Sequence, residues 1–197
     1  MFTSITSYRS NFGCFTTLYV YIDHVLQVEL RGFFDSSLYP DTAGVPTQPL
    51  RPIIILIVRR KKRRIGNIAE VEEALRQQYP EYEVVQFLGH ESIRSQLTLF
   101  SKAALIIGPH GAGLSNMVVS PLHTPVLEIG PRSCPSCYLT MAIKTQHLYA
   151  RHPGVSSDNE ACDQAYQPKL EEVMDIVREL MEAKALFATQ DGLSGTS

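Results

Sequence analysis

The stretch ALIIGPHGAGLSNMVVSPLHTPVLEIG, residues 104–130, decides how the chain folds. It opens on an aliphatic run, Ala104–Ile107, and then sheds side chains. Apart from Pro109 and His110, positions 108–113 hold only Gly or Ala. GLSNMVVS, 113–120, follows as a short helix, and PVLEIG, 125–130, returns to an aliphatic run. A run of this kind suits a strand buried on both faces of a parallel sheet. A strand that passes through a glycine turn into a helix leaves the first N–H groups of that helix unpaired, with partial positive charge. Small residues let an anion approach those groups closely. On this reading His110 adds a donor to a phosphate oxygen. The alternative is that Gly111 and Gly113 serve only close packing of helix on sheet, with His110 a satisfied loop residue. The pattern is neither the dinucleotide G-x-G-x-x-G nor a Walker loop.

The same alternation extends outward on both sides. PIIILIV, 52–58, bounded by proline and charge, is a first buried strand. Asn67 with Glu70 three residues later forms a capping box for a helix that carries Ile68, Val71, Ala74 and Leu75 on one face. YEVVQF, 82–87, is a second strand. SIRSQLTLFSKA is a second helix with Ile93, Leu97 and Phe100 in a stripe. After the fourth strand come a short helix around 136–145, a short strand at HLYA, and a long helix near 168–187. The tail from 189 to 197 is expected to be disordered. Strand and helix alternating over short connections predict an α/β fold, a Rossmann-like parallel sheet with helices on both faces. Ligands of such sheets bind outside the carboxyl ends of the strands. Three unusual segments fall there: RRKKRR after the first strand, GPHGAG after the third and EIGPRS after the fourth.

RRKKRR, 59–64, is the one strong charge run. Its arginines can grip a diphosphate through paired hydrogen bonds. It can also be a solvated loop, a nuclear localisation patch or a nucleic-acid contact. With a net charge of −2 the chain has no global basic field, which counts against nucleic acid. Glu128 interrupts the apolar strand PVLEIG. A buried carboxylate is costly unless paired, so Glu128 accepts ribose hydroxyls, pairs with a nearby Arg, or lies exposed at a strand end. Asn116 either touches a ligand or bonds within its own helix. His90, His123 and His152 read as surface residues. Cys134 and Cys137 form a lone C-x-x-C, which lacks the second pair a structural zinc site requires. Buried thiols, or a disulfide such as one involving Cys162, fit better, and no metal is assigned. No apolar run approaches the ~18 residues of a membrane span, and MFTSITSYRSNFGCF lacks the pattern of a secretory leader.

RPIIILIVRRKKRR-IGN, followed by SIRSQLTLFSKAALIIGPHGAGLSNMVVSPLHTPVLEI, closely resembles glycosyltransferase family 61 over roughly residues 50–150. That family includes plant β-1,2-xylosyltransferases, xylan arabinosyl- and xylosyltransferases, and animal O-linked N-acetylglucosaminyltransferases. The resemblance implies the C-terminal, donor-binding lobe of a two-lobed GT-B enzyme. Arg59 and Arg60, with Arg63 or Arg64, would lie near the diphosphate. His110, Gly111, Ala112 and Gly113 would line the donor pocket. Asn116 would stabilise that loop or touch the donor, and Glu128 would hold the ribose. The implied reaction moves xylose, arabinose or N-acetylglucosamine from a UDP-sugar to a glycan or protein hydroxyl, with inversion and without a metal or other cofactor. The partners implied are a nucleotide sugar and a glycan or glycoprotein acceptor, with no nucleic acid. The implied location is the Golgi or endoplasmic reticulum lumen, with a membrane anchor outside this sequence.

The organisation expected is a helical remnant of the N-terminal lobe at 1–35, a linker at 36–51 with three prolines, the Rossmann-like donor-binding domain at 52–188, and the tail at 189–197. The segment ahead of the first strand is too short for an acceptor lobe. The general base is therefore expected from the other lobe and is not assigned. A catalytically inactive, truncated nucleotide-sugar-binding module is the alternative reading.

Overall fold

The aliphatic run after Pro52 forms β1, Ile53–Ile57, and its side chains alternate between two hydrophobic cores. The computed structural model of the protein describes residues 51–154 and 161–194, with side chains as far as 187. The helix expected near the N-terminus, most of the linker and Cys14 lie outside the described residues.

Four further strands follow β1: β2 (Glu83–Phe87), β3 (Ala103–Pro109), β4 (Pro125–Ile129) and β5 (Leu148–His152). All neighbours pair in parallel, in the order β2-β1-β3-β4-β5. Among the described residues, four α-helices lie between or after them: α1 (Ile68–Gln78), α2 (Ile93–Phe100), α3 (Cys137–Lys144) and α4 (Leu170–Ser194). Ile54, Leu56, Leu105, Ile107 and Leu127 face one core, which Val71 and Leu75 of α1 and Val173 and Val177 of α4 complete. Ile55, Ile57, Ile106 and Val126 face the other, under Phe100 of α2 and Met141 of α3. The sheet is therefore covered on both faces, which is why β3 and β4 are buried at every position. This is the expected α/β, Rossmann-like arrangement. The chain leaves β1 toward β2 on one side and returns to β3 on the other. The order reverses between β1 and β3, and in such sheets that reversal opens a crevice at the carboxyl ends.

Several local expectations change. The short helix after the glycine turn, Ala112–Val119, is of the 3-10 type. In a 3-10 helix residues three apart eclipse one another. Leu114, Met117 and the capping Ser120 thereby fall on one buried stripe, in the short span before Pro121. The capping box at Asn67 does not form. Its amide instead donates to the Pro168 carbonyl at 2.8 Å, joining the start of α1 to the entry of α4. Of the stripe expected on α2, Phe100 is buried but Ile93 is 76% exposed. Helix α4 runs on to Ser194, through most of the expected disordered tail. The stretch AKALFA, 183–188, favours helix up to the tail, and the one glycine that follows costs only about 1 kcal/mol. No described helix is long and apolar enough to cross a membrane.

Gly108 is where the sheet tolerates no side chain. A Cβ there would stand 2.6 Å from Cβ of Ile57 on the neighbouring strand. Gly108→Ala should lower stability by about 1–3 kcal/mol, read from the denaturant midpoint, with the slope of the transition unchanged.

Candidate functional site

A cleft of about 520 Å³ opens where the strand order reverses. Ile57 at the end of β1, Phe87 at the end of β2 and Pro109 at the end of β3 line it, with Val58, Leu88, Gly89, His90, Arg59–Lys61 and Gly111–Gly113 from the loops that follow. One wall is basic and the other is a turn almost bare of side chains. The bareness has a steric cause. A Cβ on Gly111 would lie 2.3 Å from Nη1 of Arg59, and Gly111 has φ 153, which L side chains rarely adopt. A Cβ on Gly113 would lie 3.0 Å from Cγ2 of Ile57. The Arg59 guanidinium and the turn backbone thus share one corner of the cleft.

The basic run divides into two groups. Arg59, Arg60 and Lys61 line the cleft. Lys62 and Arg63 turn to Asp163, at 2.8 and 3.0 Å. Hydrogen bonding by Lys62, with its charge and that of Arg63, holds the Asp163 carboxyl below the usual range. Arg63, at φ 59, also donates from Nη1 to the His110 carbonyl at 3.3 Å. Arg64 is exposed, and its carbonyl accepts from the Tyr166 amide.

His110 does not present its ring to the cleft. Its side chain is 6% exposed, packs edge-on against Tyr138, and holds Nδ1 2.7 Å from Oε1 of Glu128. Glu128 has no exposure. Arg151 donates to the same oxygen, and the Tyr149 hydroxyl donates to Oε2. Burial alone would raise the Glu128 carboxyl. The hydrogen bonds from His110 and Tyr149, with the charge and hydrogen bond of Arg151, outweigh it and hold the group below the usual range. The carboxylate therefore accepts, and Nδ1 of His110 carries the hydrogen. Burial, then the Glu128 charge, pushes the Tyr149 hydroxyl well up, so it stays a donor. Of the three readings open for Glu128, the arginine pair holds. Both of its oxygens accept hydrogen bonds within the protein. Asn116 is also turned aside, donating to Oε1 of Gln96 on α2 at 3.3 Å.

Cys134 pairs with Cys162 in a disulfide, so the C-x-x-C is not a unit. His110, Cys134 and Cys162 bring their ligand atoms within 4.8 Å of one another, the one such trio among the described residues. Their sulfurs are bonded to each other, so the trio offers no thiolate to a cation. The Tyr166 hydroxyl donates to the Cys162 carbonyl at 2.6 Å, and burial above all pushes it up to about 12.

Sequence reasoning missed part of this site. His90, read as a surface residue, is exposed but lines the cleft. His152 is buried, 3.0 Å from Glu172, and its Nδ1 accepts from the Gly154 amide. His123 stacks on Phe187 with ring centroids 4.5 Å apart. Arg151 left one usable signal. It stands in register with Glu128 on the neighbouring strand, where an unpaired carboxylate needs a cross-strand partner. Asp163, a hundred residues from Arg63, left none.

The family model described as Glycosyltransferase 61 matches residues 14–127. That span takes in the basic loop, the cleft and the glycine turn, and ends one residue short of Glu128. No curated protein matches the chain.

Glu128→Ala leaves Arg151 without its charge partner and should cost about 3–5 kcal/mol at neutral pH. The folded carboxyl titrates below its unfolded value, so its contribution is complete above about pH 4.3. It is lost as pH falls through the lower folded value. Denaturation profiles between about pH 5 and 2 should steepen for the wild type and flatten for Glu128→Gln.

Proposed function

The chain belongs to glycosyltransferase family 61, and we propose that the cleft between β1 and β3 holds the nucleoside diphosphate of a UDP-sugar donor. One observation carries the reading. Three cations, Arg59, Arg60 and Lys61, face a turn with little side chain across a single crevice. Guanidinium groups bind phosphate oxygens in pairs, and the small residues of the turn let those oxygens reach backbone N–H groups. The apolar floor of Ile57, Val58, Phe87 and Leu88 suits the uncharged part of the nucleotide. Lys62 and Arg63 are already engaged by Asp163, which weakens the case for the run as a nucleic-acid contact.

In the reaction, an acceptor hydroxyl attacks the anomeric carbon of the donor sugar. The new C–O bond forms as the bond to the diphosphate breaks, and configuration inverts. The acceptor proton passes to a general base not assigned within this chain. The departing diphosphate gains negative charge, and Arg59, Arg60 and Lys61 offset it as fixed positive groups. The chemistry needs no metal on this reading. The acceptor is a glycan or protein hydroxyl, and the sugar is xylose, arabinose or N-acetylglucosamine. The Cys134–Cys162 disulfide suits an oxidising compartment, which supports the Golgi or endoplasmic reticulum lumen.

Titration calorimetry of the full chain with UDP, and with ADP for comparison, tests this. UDP should bind in preference to ADP, and Arg59→Ala should weaken it by about 10- to 100-fold, the loss of one or two charge-assisted hydrogen bonds. A folded chain that takes up no UDP would overturn the donor reading.

A further inference from the structure

The two walls of the cleft are joined by a ring of contacts that runs outside it. Arg63 donates to the His110 carbonyl at 3.3 Å, and the His110 ring reaches Glu128 at 2.7 Å. Glu128 pairs with Arg151, and Arg151 donates from Nη1 to the Cys134 carbonyl at 3.3 Å. Cys134 is bonded to Cys162, and the next residue, Asp163, returns to Arg63 at 3.0 Å. The circuit closes without touching the cleft lining. Neither Asp163 nor the His110, Glu128, Arg151 and Cys134 side chains line that crevice.

We propose that Asp163 is a positioning residue. By gripping Lys62 and Arg63 it fixes the basic wall, and through Arg63 and His110 it sets where the Gly111–Gly113 backbone stands against Arg59. His110 then acts on the site through its backbone and through Glu128, not as a ligand of the donor. The proposal deepens the donor-site reading above and rests on it for its effect on nucleotide affinity.

The sign of one substitution separates positioning from plain electrostatics. Asp163 is a negative charge beside an anion site, half exposed at its side chain. If charge alone mattered, Asp163→Ala would free two cations and tighten UDP. If Asp163 positions the wall, the same change weakens UDP, because the released loop no longer holds its geometry. The variant should fold. Ile65 and Tyr166 form a parallel bridge, and the amides of Gly66 and Tyr166 still tie the two segments at 2.8 and 2.7 Å.

The experiment is calorimetric titration with UDP of wild type, Asp163→Ala and Asp163→Glu, alongside ¹H–¹⁵N spectra of the nucleotide-free full chains. The expected result has three parts: affinity about tenfold weaker in Asp163→Ala, shifted amide signals at Gly111–Gly113, and recovery of both in Asp163→Glu. Equal or tighter UDP binding with unmoved amide signals would overturn the proposal. If the wild type binds no UDP, the donor reading fails by itself. The amide signals then decide the proposal, since unmoved signals refute it and shifts reversed by Asp163→Glu uphold it.

Discussion

The Glu128 carboxylate, with no exposure at all, is the constraint around which the carboxyl ends of β3, β4 and β5 are arranged. An ionised carboxylate held out of water costs several kcal/mol unless every oxygen finds a donor. Here one oxygen takes His110 and Arg151, and the other takes Tyr149. Those donors come from β5 and from the turn that directly follows β3, on either side of β4. Satisfying one charge therefore sets the registration of three strand ends and the direction of the turn that leaves β3. The His110 amide adds to this by donating to the Ile129 carbonyl at 3.0 Å.

The cleft follows from a second constraint, close packing against Ile57. Its side chain meets Gly108 on one side and Gly113 on the other, at distances that exclude a Cβ or leave scant room for one. The same residue that seals the core thus brings the turn down beside β1. The Arg59 guanidinium lies over Gly111 as the chain leaves that strand. Core packing and the shape of the cleft share these atoms. Glycine is required here by approach distance as well as by backbone angle.

The disulfide adds a long-range tie. It joins the loop after β4 to the segment before α4, 28 residues later. That segment carries Asp163 to the basic loop and pairs Tyr166 with Ile65. A charge run that would otherwise spread into solvent is thereby given a fixed shape, with three of its cations facing the cleft. Fixed positive groups of this kind are what an anionic ligand needs already in place.

The first four strands, their parallel arrangement and the place of the crevice were legible in residues 52–130. Strands buried in a parallel sheet read as near-continuous aliphatic runs, and strand alternating with helix points to parallel pairing with crossover helices. The glycine turn and the arginines at the end of β1 could be assigned to that crevice for the same reason. The direction of each polar side chain was decided only in three dimensions. Asn67 chose the Pro168 carbonyl over a cap, Asn116 chose Gln96, and His110 turned to Glu128. Local sequence sets which backbone conformations are favourable. It does not say which distant donor or acceptor arrives within 3 Å, and a buried polar atom is governed by that arrival. Asp163 and Arg63, a hundred residues apart, meet because the sheet and the disulfide bring their loops together, a consequence of the whole fold that no local pattern encodes.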